Sequence, residues 1–361
     1  MEILLIASAL FLAFSNGAND NFKGFATVWG SDTLDYRSAL RLATIATVAG
    51  SLCSLFLAEA LAQQFSGKGL VPDMTANAPQ FLFGVGMGAA LTVFTATRAG
   101  LPVSTTHALI GGLVGAGLGF NSGELRMDAL ANTFLLPLLV SPFLAAMLAW
   151  LAFRFLPRSD AQRDCACLVA AEENAEPTPE GATVLRSSAP SLVIASDAHC
   201  ATLPPSVSRL SISRLSDRLH TVSAALICFA RGVNDTPKLA ALLIGAHLLD
   251  SAASIAAMAL IMAMGGLLFA RRVAHTMSRR MTRIDHLPGL AANLVTALLV
   301  LFASKLGVPV STTHVSVGSI AGVGAGARSL DWPTVRNIAL SWLATLPMAA
   351  VIAWLAVGLS S

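Results

Sequence analysis

Ten stretches of this chain are long and apolar enough to be membrane helices, and this limits the fold before any motif is read. A helix that crosses the hydrocarbon core needs roughly 20 mostly apolar residues. Five such stretches fall at about 3–28, 38–62, 80–99, 102–120 and 130–156, and five more at about 219–244, 247–270, 287–304, 308–327 and 335–359. Charged residues make up only 12% of the chain and hydrophobic residues 55%, whereas soluble domains keep about 25% charged. A soluble enzyme or nucleic-acid-binding protein is therefore not expected. The lipid bilayer is the expected surrounding, and the fold class is an all-α polytopic membrane protein. Residues 1–156 form a first membrane repeat, 157–217 a linker and 218–361 a second membrane repeat. The linker is rich in Ser, Pro, Ala and charges and has no sustained apolar period, which predicts a flexible segment. It carries Cys165, Cys167 and Cys200 beside His199, but C-x-C is not a usual structural-zinc spacing. No cofactor is expected. The first span lacks a basic lead-in, so it reads as a membrane span and not a cleaved signal.

Orientation follows from the basic residues. In a ten-crossing arrangement one side collects Arg37, Arg41, Arg98, Arg154, Arg271, Arg272, Arg279, Arg280 and further arginines, while the other holds only Lys68, Arg126 and Lys305. The positive-inside rule makes the first side cytoplasmic. The expected location is a cell membrane, for a bacterium the inner membrane, with both termini outside and 157–217 in the cytoplasm.

The two halves are related. TRAGLPVSTTHALIGGLVGAG (97–117) aligns without a gap on SKLGVPVSTTHVSVGSIAGVG (304–324), and GANDNFK (17–23) on GVNDTPK (232–238). Five crossings per half is an odd number, so the second copy would enter the membrane from the opposite side. That is an inverted-topology repeat, which brings paired motifs together near the midplane.

The motifs suit ion handling. Asp20 and Asp235 are carboxylates at membrane depth, where a charge marks a function or a buried pair. Each has a lysine three residues on, Lys23 and Lys238, so an i,i+3 ion pair is the plain alternative, but duplication of the whole N-D-x-x-K unit argues for a function. Asn19 and Asn234 precede the acids. Pro237 predicts a break in the second-half helix, with Asp235 or Thr236 capping a new helical segment beyond it; Gly17 loosens the first-half helix. The freed carbonyls would suit a cation, so Asn19, Asp20, Asn234 and Asp235 are the candidate cation ligands. In each PVSTTH, the proline precedes hydroxyl residues that make good helix caps, and the helix start offers N–H groups to an oxyanion. Ser104, Thr105, Thr106, Ser311, Thr312 and Thr313, with Lys23 and Lys238, are the candidate substrate ligands. His107 and His314 read as proton carriers or as neutral rings bonded to carbonyls, with preference for the second. Gly111/Gly115 and Gly318/Gly322 read as small-residue helix contacts. Arg231 has no basic counterpart at Ser15 or Asn16 and is assigned no role.

At these motifs the chain resembles the inorganic phosphate transporter (PiT) family, whose members carry a GAND-type motif early and a PVSTTH-type motif late in each half. The resemblance covers both membrane halves and leaves out 157–217. It implies inverted repeats, outside termini, a large central cytoplasmic loop, and symport of inorganic phosphate with Na⁺ or H⁺; the helix breaks expected at the motifs complete a fold of two inverted five-segment repeats with broken helices. The usual first motif reads GANDVANA; Lys23 stands where that motif has Asn. Two lysines against two aspartates predict a nearly neutral protein site, and fewer coupled cations than in a GANDVANA-type relative. Sulfate or another tetrahedral oxyanion is the alternative cargo. A passive anion channel and an intramembrane hydrolase using Ser104, His107 and Asp20 are the other classes. A homodimer is the candidate assembly.

Overall fold

The computed structural model describes residues 1–65, 67, 69–120, 125–156, 165–169, 173–177, 183–187, 191–196, 208–282 and 284–360. His199 and Cys200 lie outside them. The chain divides into two compact units, Met1–Phe155 with His220–Ser361, and Leu156–Leu219.

The first unit is helical. Its principal helices are α1 (Glu2–Asp20), α2 (Tyr36–Leu57), α3 (Pro79–Arg98), α4 (Thr105–Gly119) and α5 (Leu136–Phe155), then α6 (Ile212–Gly245, shared with the second unit), α7 (Ser251–Phe269), α8 (His286–Lys305), α9 (Thr312–Gly326) and α10 (Trp332–Ser360). Seven helical stretches among the described residues are long and apolar enough to cross a membrane. Two of the ten expected spans, 102–120 and 308–327, hold helices of only 15 residues, α4 and α9. At 1.5 Å per residue each is about 22 Å long, short of the ~30 Å hydrocarbon core.

Matched positions in the two halves use the same local chemistry. Asp35 caps α2 by accepting from the N–H groups of Arg37 (2.9 Å) and Ser38 (3.0 Å), and Asp250 caps α7 by accepting from Ala253 (2.8 Å). Helices α3 and α8 end alike. Gly100 and Gly307 take φ of +72° and +69°, and the next residues donate back, Leu101 to the Ala96 carbonyl and Val308 to the Ala303 carbonyl, both at 2.9 Å. This is a Schellman stop, and the left-handed residue is where glycine carries no Cβ penalty. The chain then runs outside any helix to the extended Ser104 and Ser311, whose side chains accept from the His107 (3.1 Å) and His314 (3.2 Å) N–H groups and start α4 and α9.

One expectation fails. Pro237 does not break its helix: α6 runs without interruption from Ile212 to Gly245. A proline inside a helix costs one backbone hydrogen bond, and a packed membrane helix tolerates that loss. The break lies in the other half, without proline. There α1 stops at Asp20, a 3₁₀ turn covers Lys23–Phe25, and a short helix covers Ala26–Gly30.

The halves exchange partners. Helix α4 packs along α10 and α9 along α5. Cβ atoms built on Gly111 and Gly115 would fall 2.3 Å from the Leu346 and 1.9 Å from the Ala350 carbonyl oxygens of α10. On Gly318 and Gly322 they would fall 2.4 Å from the Pro142 and 2.2 Å from the Ala146 oxygens of α5. The glycine rows are therefore the close helix contacts expected of them, and each row faces the last helix of the other half. Gly17 likewise meets Met262 of α7, and Gly232 meets Thr47 of α2.

The second unit holds the strands. Strand β1 (Cys165–Val169) pairs antiparallel with β4 (Ser191–Ala195) on one side and β5 (Ser208–Ser211) on the other, while β2 (Glu173–Pro177) and β3 (Thr183–Ser187) form an antiparallel pair. Runs such as CACLV and SLVIA are far too short to cross a membrane but long enough for strands, so regular structure occurs where the sequence shows no long apolar period.

Candidate functional site

The exchange of partners brings the four motifs to one buried place. Asp20, Lys23, Asp235, Lys238, Asn19, Asn234 and the hydroxyl residues of both PVSTTH copies are all buried. Two ammonium groups organise it. Lys23 Nζ pairs closely with Asp20 Oδ1 and donates to the Val103 carbonyl at 2.9 Å and to Thr313 Oγ1 of the other half at 2.5 Å. Lys238 Nζ mirrors this. It donates to the Val310 carbonyl at 2.8 Å and to Thr106 Oγ1 of the other half at 3.1 Å, with Asp235 Oδ1 3.9 Å away and the Phe65 ring centroid at 5.4 Å. Each lysine therefore binds the valine of its own hexapeptide and a threonine of the other.

Around this pair the two helix starts touch. Thr106 Oγ1 donates to the Val310 carbonyl at 3.3 Å, and Thr313 Oγ1 to the Val103 carbonyl at 2.8 Å. The His107 and His314 rings lie 4.5 Å apart, and Trp342 lies 3.9 Å from His314. His314 Nδ1 is 3.2 Å from the Leu138 carbonyl, the carbonyl-bonded arrangement preferred for it from sequence. Trp342 Nε1 donates to the Pro102 carbonyl at 3.0 Å and pins the non-helical lead-in to α4.

The asparagines position backbone. Asn19 donates to Thr97 Oγ1 (2.8 Å) and to the Leu101 carbonyl (3.0 Å), and accepts from Val103 N–H (3.2 Å). Asn234 accepts from Ser304 Oγ (3.1 Å), which occupies the position matched to Thr97, and donates to Asp235 Oδ1 (2.9 Å) and the Val310 carbonyl (3.4 Å). Thr105 Oγ1 donates to Asp20 Oδ2 at 3.3 Å. Thr312 is buried beside Thr313. Ser104 Oγ and Ser311 Oγ serve as caps. The His107 contact to Ser104 comes from its backbone N–H and not its ring, which lends no support to a Ser104/His107/Asp20 triad.

Sequence reasoning missed two residues. Arg231, assigned no role, is buried inside the cluster. Its Nη2 donates to Asn16 Oδ1 at 2.6 Å, its Nη1 lies 3.4 Å from both Asn21 Oδ1 and Thr47 Oγ1, and its Nε sits 3.5 Å from Asp235 Oδ2, an ion-pair distance without a well-aligned hydrogen bond. Asn16, at the matched position in the first half, joins the two carboxylates: its Nδ2 reaches Asp20 Oδ2 at 3.1 Å, Asp235 Oδ2 at 3.4 Å and Thr105 Oγ1 at 3.0 Å. The absence of a repeat partner hid Arg231. A basic residue in an apolar span four positions before an acid is itself a sign of a buried pair. With it, the buried cluster holds three basic side chains against two carboxylates, one more than the lysine–aspartate count includes.

A duplicated, buried cluster of basic and acidic side chains at two helix starts is an arrangement suited to a membrane protein that handles an anion. The model of the "Phosphate transporter family" matches residues 16–353, and the chain belongs to that family; it is a transporter and not an enzyme. It is 30% identical to a Rhizobium meliloti protein named "Probable low-affinity inorganic phosphate transporter", over 96% of this chain and 93% of that protein. It is 28% identical to the Arabidopsis thaliana "Inorganic phosphate transporter 2-1, chloroplastic", over 98% of this chain and 71% of that one. Among solved structures, "The sodium-dependent phosphate transporter" shares the fold with a TM-score of 0.77, covering 100% of this chain and 99% of that one at 20% identity.

Proposed function

We propose that this protein is a secondary transporter that imports inorganic phosphate with a coupling cation, Na⁺ or H⁺, through one site built from both halves. The observation that carries this reading is the crossed pairing of Lys23 with Thr313 and Lys238 with Thr106. Each donor of one half is held by the other, so the groups able to hold an oxyanion belong to neither half alone. A phosphate would take over the ammonium and hydroxyl donors that now satisfy each other, at the starts of α4 and α9, where the helix ends favour negative charge. Movement of one half against the other would separate Lys23 from Thr313 and Lys238 from Thr106 together, which suits alternating access.

The same reading takes the chain across the membrane ten times in two inverted repeats. The non-helical lead-ins 101–104 and 308–311 support it. Four non-helical residues can add up to about 13 Å to each short helix, and about 22 Å plus that length reaches across the core. Both termini are assigned to the outside and residues 157–217 to the cytoplasm, on the arginine bias.

The test is uptake of labelled phosphate and labelled sulfate into proteoliposomes, with and without an imposed Na⁺ or proton gradient. The reading expects phosphate to accumulate above its equilibrium level under at least one gradient and to be preferred to sulfate. Equilibration without accumulation would identify a channel, and preference for sulfate would change the cargo.

A further inference from the structure

A coupling Na⁺ needs oxygen atoms that are free to point at it, and here those oxygens already surround two nitrogen cations. We propose that the ammonium groups of Lys23 and Lys238 are tethered replacements for site cations, with Arg231 as a third fixed charge, so that phosphate transport by this protein does not require Na⁺. This rests on the phosphate reading above and specifies its coupling.

The argument is geometric. Lys23 Nζ sits among a carboxylate oxygen of Asp20, the Val103 carbonyl and the Thr313 hydroxyl. These are three oxygens of the types that hard cations choose, and they use all three ammonium hydrogens. Lys238 Nζ sits among the Val310 carbonyl, the Thr106 hydroxyl and, at 3.9 Å, Asp235. The two cages are the same set of groups generated twice by the repeat. A mobile Na⁺ would have to displace a covalently attached cation from either one.

The remaining carboxylate oxygens also face donors or a cation. Asp20 Oδ2 receives Thr105 and lies 3.1 Å from Asn16 Nδ2. Asp235 Oδ2 lies 3.4 Å from the same amide nitrogen, whose two hydrogens these acceptors share with Thr105, and faces the Arg231 guanidinium. Asn19, a candidate cation ligand by sequence, has its carbonyl oxygen turned to Val103 N–H. The donor set is thus built to hold negative charge and offers little to a further cation. A buried charge without a partner is unfavourable, so three basic side chains against two carboxylates favour an entering anion over an entering Na⁺.

The experiment uses the full-length protein in proteoliposomes at fixed pH and with a fixed imposed proton gradient. Labelled phosphate uptake is measured with Na⁺ replaced stoichiometrically by N-methylglucamine. The expected rates agree within about twofold. For Lys23→Asn, which restores the amide of a GANDVANA-type motif, uptake is expected to become at least tenfold faster in Na⁺ than without it. A Na⁺ requirement in the parent, or an active Lys23→Asn protein that ignores Na⁺, overturns the proposal. Equilibrium binding of labelled Na⁺ to the detergent-purified parent decides the matter where a variant does not fold. No saturable binding is expected, and one or more Na⁺ bound per chain overturns the proposal even if phosphate is not the cargo. Absence of phosphate uptake under every gradient, with Na⁺ binding also absent, leaves the tethered cations in place and defeats the phosphate reading instead.

Discussion

The two copies of the N-D-x-x-K motif make nearly the same contacts from different backbones. In the first half the helix ends at Asp20 and a 3₁₀ turn presents Lys23; in the second the helix runs on through Pro237 and presents Lys238 from an unbroken turn. Both ammonium groups still reach the valine carbonyl of their own hexapeptide and the threonine of the other. What the repeat conserves is therefore the set of oxygens around each cation and not the helix geometry behind it. The halves differ where Asn16 faces Arg231. The first half offers an amide that links both carboxylates, and the second adds a fixed charge.

The largest effect should come from the acids, and it should be equal in both halves. Asp20→Asn and Asp235→Asn are each expected to abolish concentrative phosphate uptake, while size-exclusion chromatography shows a folded protein because the amide keeps an acceptor for the lysine. Parental uptake by either variant would break the equivalence of the two halves.

The difference between the halves is sharpened by Arg231→Asn, which gives the second half the residue of the first. Removing a unit charge about 4 Å from another at an effective dielectric near 20 changes the local energy by about 4 kcal/mol, part of which solvent and neighbours compensate. The expected result is phosphate affinity reduced at least tenfold, with both aspartates and lysines intact, read by equilibrium binding. Unchanged affinity would mean that Arg231 serves packing alone.

Packing is predicted to be symmetric. Gly115→Ala and Gly322→Ala place a Cβ about 2 Å from a carbonyl oxygen of the facing helix. Each should lower stability by about 1–3 kcal/mol, seen as a lower Tm for both variants. A fall in only one would show that the exchanged contacts are not equivalent. The cap variants Ser104→Ala and Ser311→Ala should each cost about 1 kcal/mol. The smallest effect belongs to the second unit. Replacing 165–205 by a Gly/Ser segment of similar reach should leave the transport rate nearly unchanged, because Leu156–Leu219 forms a compact unit of its own.

Much of this was legible in the sequence because repetition exposes it. The cap serines, the glycines after α3 and α8 and the glycine rows recur at fixed offsets, and each recurrence has one local physical meaning. One feature that escaped has no twin. Arg231 has no repeat partner, and its role depends on Asn16, Asn21 and Thr47, which lie far away in the chain. The continuity of α6 escaped for another reason: the proline rule describes an isolated helix, and tertiary packing overrides it here. The shortness of α4 and α9 was hidden because their non-helical lead-ins are as apolar as the helices themselves.

The central claim is that one phosphate site is assembled from both halves. Equilibrium binding of labelled phosphate to the purified parent, Lys23→Met and Lys238→Met tests it most directly. The account predicts one phosphate per chain in the parent and loss of that binding in each single variant, since each lysine completes the same site. Two phosphates per chain in the parent, or a variant that keeps parental affinity, would show that the halves bind separately and would contradict it.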